Sequence, residues 1–311
     1  MSETAPPETV ADLRTLPLPD ALAWLREHGK PVDPRPDIDT ASLRRRFPHL
    51  AHVRTRDLAV EAPSGRQPAR LYRDDTVPHA GAALVWVHGG GFIGGHLDMP
   101  ESNWVALELA ARGIPVLAVD YVKCLGDVHF PAPSDDVLAA WRYARADSVE
   151  LLGVEPGALL LGGASAGGNL TAGAVARLRD AGEALPAGLV LVYPALDPDG
   201  ARPGEAPDPE SPFMRLSLNF AGSPDALHDP HAFPGLGSVG GFPPTLVVVC
   251  EQDRLRPSGE AFARRLSAAG REAALHLEPD ADHAHINEPA HPGAIRTLTA
   301  ITEWTSRRRA R

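Results

Sequence analysis

Ser165 lies in Gly163-Ala164-Ser165-Ala166-Gly167-Gly168, directly after the apolar run Ala158-Leu159-Leu160-Leu161 and before a segment with helical spacing. A serine displayed on a sharp strand-to-helix turn needs glycine-sized neighbours, because the turn is strained and the flanking backbones pass too close for a β-carbon. The chemistry of such a serine is nucleophilic. Its hydroxyl is weak at neutral pH, so it needs a histidine to take its proton and a carboxylate to hold that histidine in the right tautomer. The chain offers His283 within Asp280-Ala281-Asp282-His283-Ala284-His285, and Asp253 within Glu251-Gln252-Asp253. His285 and Glu251 compete for these roles; Glu251 is the weaker choice because it sits nearer the end of the preceding apolar run. A second glycine cluster, His88-Gly89-Gly90-Gly91-Phe92, follows another apolar run at 82–87. Acyl transfer builds negative charge on a carbonyl oxygen, and only backbone free of side chains brings several N–H donors within reach of it. Gly90 and Gly91 are the candidate oxyanion donors, with Gly89 and with Ala166 as the residue after the nucleophile. His88 reads as a support of that loop, and the competing reading of the cluster is a tight turn with no ligand.

These groups act together only if the chain returns them to one place. From residue 82 onward, apolar runs alternate with helix-length segments: strands at 82–87, 114–120, 158–161, 189–193, 245–250 and 273–277, helices at about 101–112, 134–146, 166–181, 257–269 and 292–308. Runs that are apolar throughout predict strands buried on both faces, hence a mostly parallel sheet flanked by helices on both sides, a doubly wound α/β architecture. Ser165, Asp253 and His283 each follow a strand, and open α/β sheets place their chemistry beyond the carboxyl ends of strands. Strands at 53–60 and 69–72, parted by Pro63-Ser64-Gly65, predict an antiparallel edge. Residues 1–50 read as short helices broken by prolines, with helical spacing at 19–25, and predict an N-terminal cap segment; residues 51–311 make the catalytic domain. Within it the regularity lapses at about 197–243, where Pro198, Pro203, Pro207, Pro209, Pro212, Gly200 and Gly204 crowd together. An insertion of that length predicts a cap or lid.

At 311 residues and 43% hydrophobic content the chain can bury one large core. A net charge of −10 argues against nucleic acid or an anionic membrane as partner, and the basic run Arg307-Arg308-Arg309 reads as a helix terminus. No apolar stretch reaches bilayer-spanning length, and residues 1–10 lack a basic-then-apolar leader, so the expectation is a soluble cytoplasmic protein. The two cysteines, Cys124 and Cys250, show neither metal-ligand spacing nor a disulfide framework. No metal and no organic cofactor is called for. Cys250 falls in an apolar run and reads as packing, while the roles of Cys124 and His285 stay open. Phe92, Trp104, Phe213 and Phe220 are candidate pocket walls, and apolar surface expected on the last helix leaves a homodimer open.

Taken together, His88–Gly91, Gly163–Gly168, Asp253-Arg254-Leu255-Arg256 and His283 resemble the hormone-sensitive-lipase-like esterases, a branch of the α/β-hydrolases, over roughly residues 50–308. The resemblance implies an α/β-hydrolase fold with a small helical cap, the chain order nucleophile, acid, histidine, and a small-molecule ester, short in its acyl chain, as substrate. Three places depart from the family pattern. Ala164 stands where an acidic residue usually precedes the serine. Tyr121 leads into Val122-Lys123-Cys124-Leu125-Gly126-Asp127 in place of the family's Arg-Leu-Ala-Pro-Glu run. Asp280 and His285 occupy positions usually held by glycine and phenylalanine. The resulting expectation is a serine carboxylesterase working through a covalent acyl-enzyme. Its alternatives are a natural-product deacetylase using the same triad, an elimination or cyclisation enzyme on this fold, and a non-catalytic ligand-binding protein.

Overall fold

The computed structural model describes residues 38–199 and 211–308, together with Asp20 and Ala23. The strands are β1 (Arg54–Ala62), β2 (Gly65–Arg73), β3 (Ala83–Val87), β4 (Val116–Val119), β5 (Leu159–Ala164), β6 (Leu189–Val192), β7 (Thr245–Cys250) and β8 (Ala273–Glu278). They form one eight-stranded sheet in the order β1-β2-β4-β3-β5-β6-β7-β8. β1 pairs antiparallel with β2, and β2 antiparallel with β4; every pairing from β4 to β8 is parallel. The described helices are α1 (Thr40–Arg46), α2 (Asn103–Ala111), α3 (Ala132–Ala146), α4 (Ser148–Leu152), α5 (Ala166–Asp180), α6 (Pro212–Ala221), α7 (Arg256–Ala268) and α8 (Pro292–Ser306).

Alternation along each strand feeds two cores. Val85 and Val87 of β3, with Val247 and Val249 of β7, enter a layer built by Trp141 of α3, Leu170 of α5 and Phe262 of α7. Their neighbours Leu84, Trp86, Leu246 and Val248 enter the opposite layer, against Trp104 of α2 and Trp304 of α8. This is why the strands read as unbroken apolar runs: period-2 side chains have an apolar layer on either face. Each fully buried Leu or Val contributes about 1.5–3 kcal/mol, against about 0–1 kcal/mol for an exposed ion pair such as Arg66–Glu61. The two layers, not the surface charges, hold the sheet.

Several expectations shift at the boundaries. α4 follows α3 directly, beyond the helix expected at 134–146. The expected helix at 19–25 lies outside the described residues except for Asp20 and Ala23. The described remainder of the N-terminal segment, α1 and the turn Pro48–Leu50, buries Leu43 and Leu50 in the α2/α8 layer. The irregular stretch at 197–243 falls outside the described residues at 200–210, and its described part contains α6. Ser211 caps α6 by accepting the Met214 N–H at 3.1 Å, Pro212 opens its first turn, and left-handed Gly222 closes it. Trp104 is no pocket wall: it is fully buried in the core, beside Phe47. The apolar surface expected on the last helix is also absent among the described residues. α8 turns Leu298, Ile301 and Trp304 inward, and the large apolar side chains that are exposed include Leu275 and Leu277 of edge strand β8.

Candidate active site

Parallel order brings the carboxyl ends of β3, β5, β7 and β8 to one edge of the sheet, and the candidate residues follow those ends. Ser165 occupies the single-residue turn between β5 and α5 at φ 52°, ψ −118°. That is a strained place for a residue with a side chain, and it is held by Ser165 N–H donating to Val192 O at 2.9 Å. The turn closes only because its neighbours lack β-carbons. A β-carbon on Gly167 would lie 2.2 Å from Val87 O, and one on Gly163 would lie 2.5 Å from Gly167 O.

Ser165 Oγ is 2.9 Å from His283 Nε2, and His283 Nδ1 is 2.8 Å from Asp253 Oδ2. The Asp253 carboxylate is buried, and its Oδ1 accepts the Leu255 N–H at 2.9 Å. With Nδ1–H donated to the carboxylate, Nε2 of the neutral ring is left as acceptor for the Ser165 hydroxyl. The Tyr193 ring packs against the imidazole at 4.8 Å between centroids. The competing residues are turned elsewhere. Glu251 is exposed and accepts the Asp280 N–H at 2.9 Å. His285 is buried with Nδ1 3.2 Å from Cys250 Sγ and Nε2 2.8 Å from Thr297 Oγ1. Burial pulls its pKa down to about 4.

The glycine loop curls beside Ser165. Gly90 and Gly91 have φ of 118° and 60°, and Gly90 O accepts the N–H groups of Ile93 and Gly94. A β-carbon on Gly90 would fall 2.3 Å from Gly94 O. Among the described residues the N–H groups of Gly90, Gly91 and Ala166 have no hydrogen-bond acceptor. Gly89 differs from the expectation: its N–H donates to the buried Glu101 carboxylate, which removes it from the set of free donors. Both nitrogens of His88 are engaged, Nδ1 with Gly89 O at 2.6 Å and Nε2 with Asp120 Oδ1 at 3.0 Å. Burial alone would raise the Asp120 pKa, but the Lys123 ammonium and His88 outweigh it and hold the carboxyl well below its usual range. The segment 122–127 thus places a buried lysine against Asp120, the carboxylate that meets His88. Cys124, next to it, is buried, its thiol pushed up to about 12 by desolvation.

α6 lies over the loop. Leu216 Cδ1 would be 3.4 Å from a β-carbon on Gly91, and Phe220 stacks on Phe92 with centroids 3.9 Å apart. Phe213 sits under the Arg254 guanidinium at 5.7 Å. Glu101, Tyr193, Asn287 and Leu216 are the residues near this edge that sequence reasoning missed. None belongs to a motif; Tyr193 reads as a strand end and Glu101 as a helix start. Among the described residues no three His, Cys, Asp or Glu side chains converge as metal ligands, and no helix is long and apolar enough to cross a membrane.

Comparison with known proteins gives one family match, described as the alpha/beta hydrolase fold, over residues 84–287. The ethyl acetate hydrolase of Pseudomonas putida is 33% identical over 265 residues, which is 79% of this chain and 82% of that protein. Among solved structures, an esterase of Pyrobaculum calidifontis superposes with a TM-score of 0.72 at 29% identity, covering 88% of this chain and 94% of that one. An esterase from the bacterial hormone-sensitive lipase family superposes with a TM-score of 0.70 at 25% identity, covering 92% and 96%.

Proposed function

The chain belongs to the alpha/beta hydrolase fold family, and from that premise we propose that it is a carboxylic ester hydrolase using Ser165 as nucleophile, His283 as general base and acid, and Asp253 as the orienting carboxylate. The observation that carries the reading is the continuous hydrogen-bonded line from Asp253 Oδ2 through the imidazole to Ser165 Oγ, with links of 2.8 and 2.9 Å. Beside it lie the unengaged N–H groups of Gly90, Gly91 and Ala166.

Ser165 Oγ attacks the ester carbonyl carbon as its proton passes to His283 Nε2. The carbonyl π pair moves onto oxygen, where the N–H groups of Gly90, Gly91 and Ala166 receive it. The tetrahedral intermediate collapses, the C–O bond to the alcohol breaks, and His283 returns the proton to the leaving alkoxide. Water, deprotonated by the same imidazole, attacks the acyl-enzyme; the acid leaves and Ser165 regains its proton. Asp253 stays ionised, stabilising the imidazolium of each half-reaction. The substrates are small esters with short acyl chains. Leu216 over Gly91 and the Phe92–Phe220 stack narrow the space beside the oxyanion donors, and a relative named ethyl acetate hydrolase supports the same size class. A serine in hydrogen-bond contact with a base favours hydrolysis over elimination or simple binding, neither of which needs that contact.

The test is hydrolysis of p-nitrophenyl esters of increasing acyl length by the wild type and Ser165→Ala, with stoichiometric labelling by an organophosphate. Turnover of the acetate and butyrate that falls by at least about 1000-fold in Ser165→Ala supports the reading. A folded wild type that neither turns over nor labels overturns it.

A further inference from the structure

Glu101 is 1% exposed and lies just ahead of α2, outside the groups used in the reaction above. Its carboxylate gathers donors from three separate crossings of the sheet. Oε1 accepts the backbone N–H of Gly89, beyond β3. Oε2 accepts the Tyr193 hydroxyl at 2.6 Å, beyond β6, and the Asn287 amide at 3.1 Å, beyond β8. The main chain of Glu101 is anchored too: its N–H donates to Asn287 Oδ1 at 3.0 Å, and its carbonyl accepts Trp86 Nε1–H at 2.9 Å.

Each donor is one step from a reacting group. Gly89 immediately precedes Gly90 and Gly91. Tyr193 packs its ring on the His283 imidazole, 4.8 Å between centroids. Asn287 donates its backbone N–H to Ala284 O at 2.9 Å, and Ala284, in the left-handed region at φ 66°, is the residue after His283. One buried carboxylate therefore ties the oxyanion loop to the imidazole from both sides. A carboxylate suits this place, since its two oxygens carry lone pairs for all three donors. A glutamine of the same shape cannot replace it. With its amide nitrogen at the Oε1 position it would face the Gly89 N–H; turned over, it would face the Asn287 amide.

We infer that Glu101 is a positioning residue, whose carboxylate sets the oxyanion donors of the glycine loop at their working distance from Ser165 and His283. The inference rests on the esterase reading, and displacement by about 1 Å of a group aligned for reaction costs on the order of 100-fold in rate.

The experiment compares wild type, Glu101→Gln, Tyr193→Phe and the double variant on p-nitrophenyl acetate, with rates normalised to organophosphate-titrated sites. A trifluoromethyl ketone serves as the transition-state analogue. Glu101→Gln is expected to lower kcat by about 10- to 100-fold with KM changed less than about 3-fold, and to weaken the ketone by the same factor as kcat/KM. Tyr193→Phe, which keeps the ring against His283, is expected to lose a smaller factor of the same kind. The double variant should fall no further than Glu101→Gln alone, because both act through one carboxylate. A kcat per titrated site within about 2-fold of wild type, or a loss confined to thermal stability or KM, overturns the inference. If Glu101→Gln does not fold, Tyr193→Phe decides: unchanged kcat and ketone affinity overturn it. A wild type that neither turns over nor labels overturns the esterase reading and this inference with it.

Discussion

Asp253 illustrates how little side-chain change the proposed site tolerates. Its Oδ1 accepts the Leu255 N–H and its Oδ2 faces His283 Nδ1. In Asp253→Asn the Leu255 N–H keeps the amide oxygen on its side, so the NH₂ group faces Nδ1 and drives the imidazole into the tautomer that cannot accept from Ser165. The expected result is a fall in kcat of roughly 10,000-fold with the melting temperature little changed, read by steady-state kinetics beside a thermal melt. At this scale the sequence was legible where a residue type is tied to a local steric demand, as with Ser165 between its glycines. It was less so where the partner is remote. Gly89 was expected among the oxyanion donors because its neighbours qualify, and only the approach of Glu101 takes its N–H away.

Among the elements, the β5–α5 turn and α6 carry different parts of the function. α5 starts so close to β3 that a β-carbon on Gly167 would also lie 2.4 Å from His88 O, and backbone cannot yield as a side-chain tip can. Gly167→Ala is therefore expected to cost at least about 3 kcal/mol, a drop of roughly 5 °C or more in Tm, measured by thermal denaturation. α6 is instead proposed to limit what enters. Leu216 on this helix meets Gly91, and Leu216→Ala is expected to raise the ratio of kcat/KM for the hexanoate over the acetate ester by about 10-fold, since one or two methylenes of pocket space carry that much discrimination. A ratio that stays put would remove Leu216 from the acyl wall. The regular α/β units could be read from the sequence because a strand buried on both faces and an amphipathic helix each leave a periodic trace. α6 was hidden by prolines on its N-terminal side, although Ser211-Pro212 is itself a helix-start signal.

The stability of the whole molecule should carry the mark of His285. Burial comes first among the causes of its low pKa, with His291 and His283 acting in the same direction and Glu278 and Glu101 opposing. The folded value of about 4 lies below the value of 6.5 for a free histidine. The unfolded chain therefore takes up this proton first as pH falls: the contribution is fully present above pH 6.5 and is lost progressively toward pH 4. Between pH 7.5 and 5 that loss amounts to about 2 kcal/mol. Urea unfolding of His285→Gln should start from a lower stability at pH 7.5, having lost the Cys250 and Thr297 contacts, and should decline less steeply toward pH 5 than the wild type. Parallel slopes would show that His285 is not the group responsible.

The sequence by itself determined the residues proposed to bear the chemistry, the strand and helix runs that carry them, and their chain order, because steric demands at a turn and the period of an element are local and leave their trace within a dozen residues. Only the tertiary structure decided which of them meet. Tyr193 reaches Glu101 across 92 residues and Asn287 reaches it across 186. The same holds for the separate fates of His283 and His285, two residues apart, one facing Ser165 and the other locked between Cys250 and Thr297. Contacts of that kind depend on the strand order of the sheet and on where each loop lands above it, and no pattern along the chain encodes a distance through space.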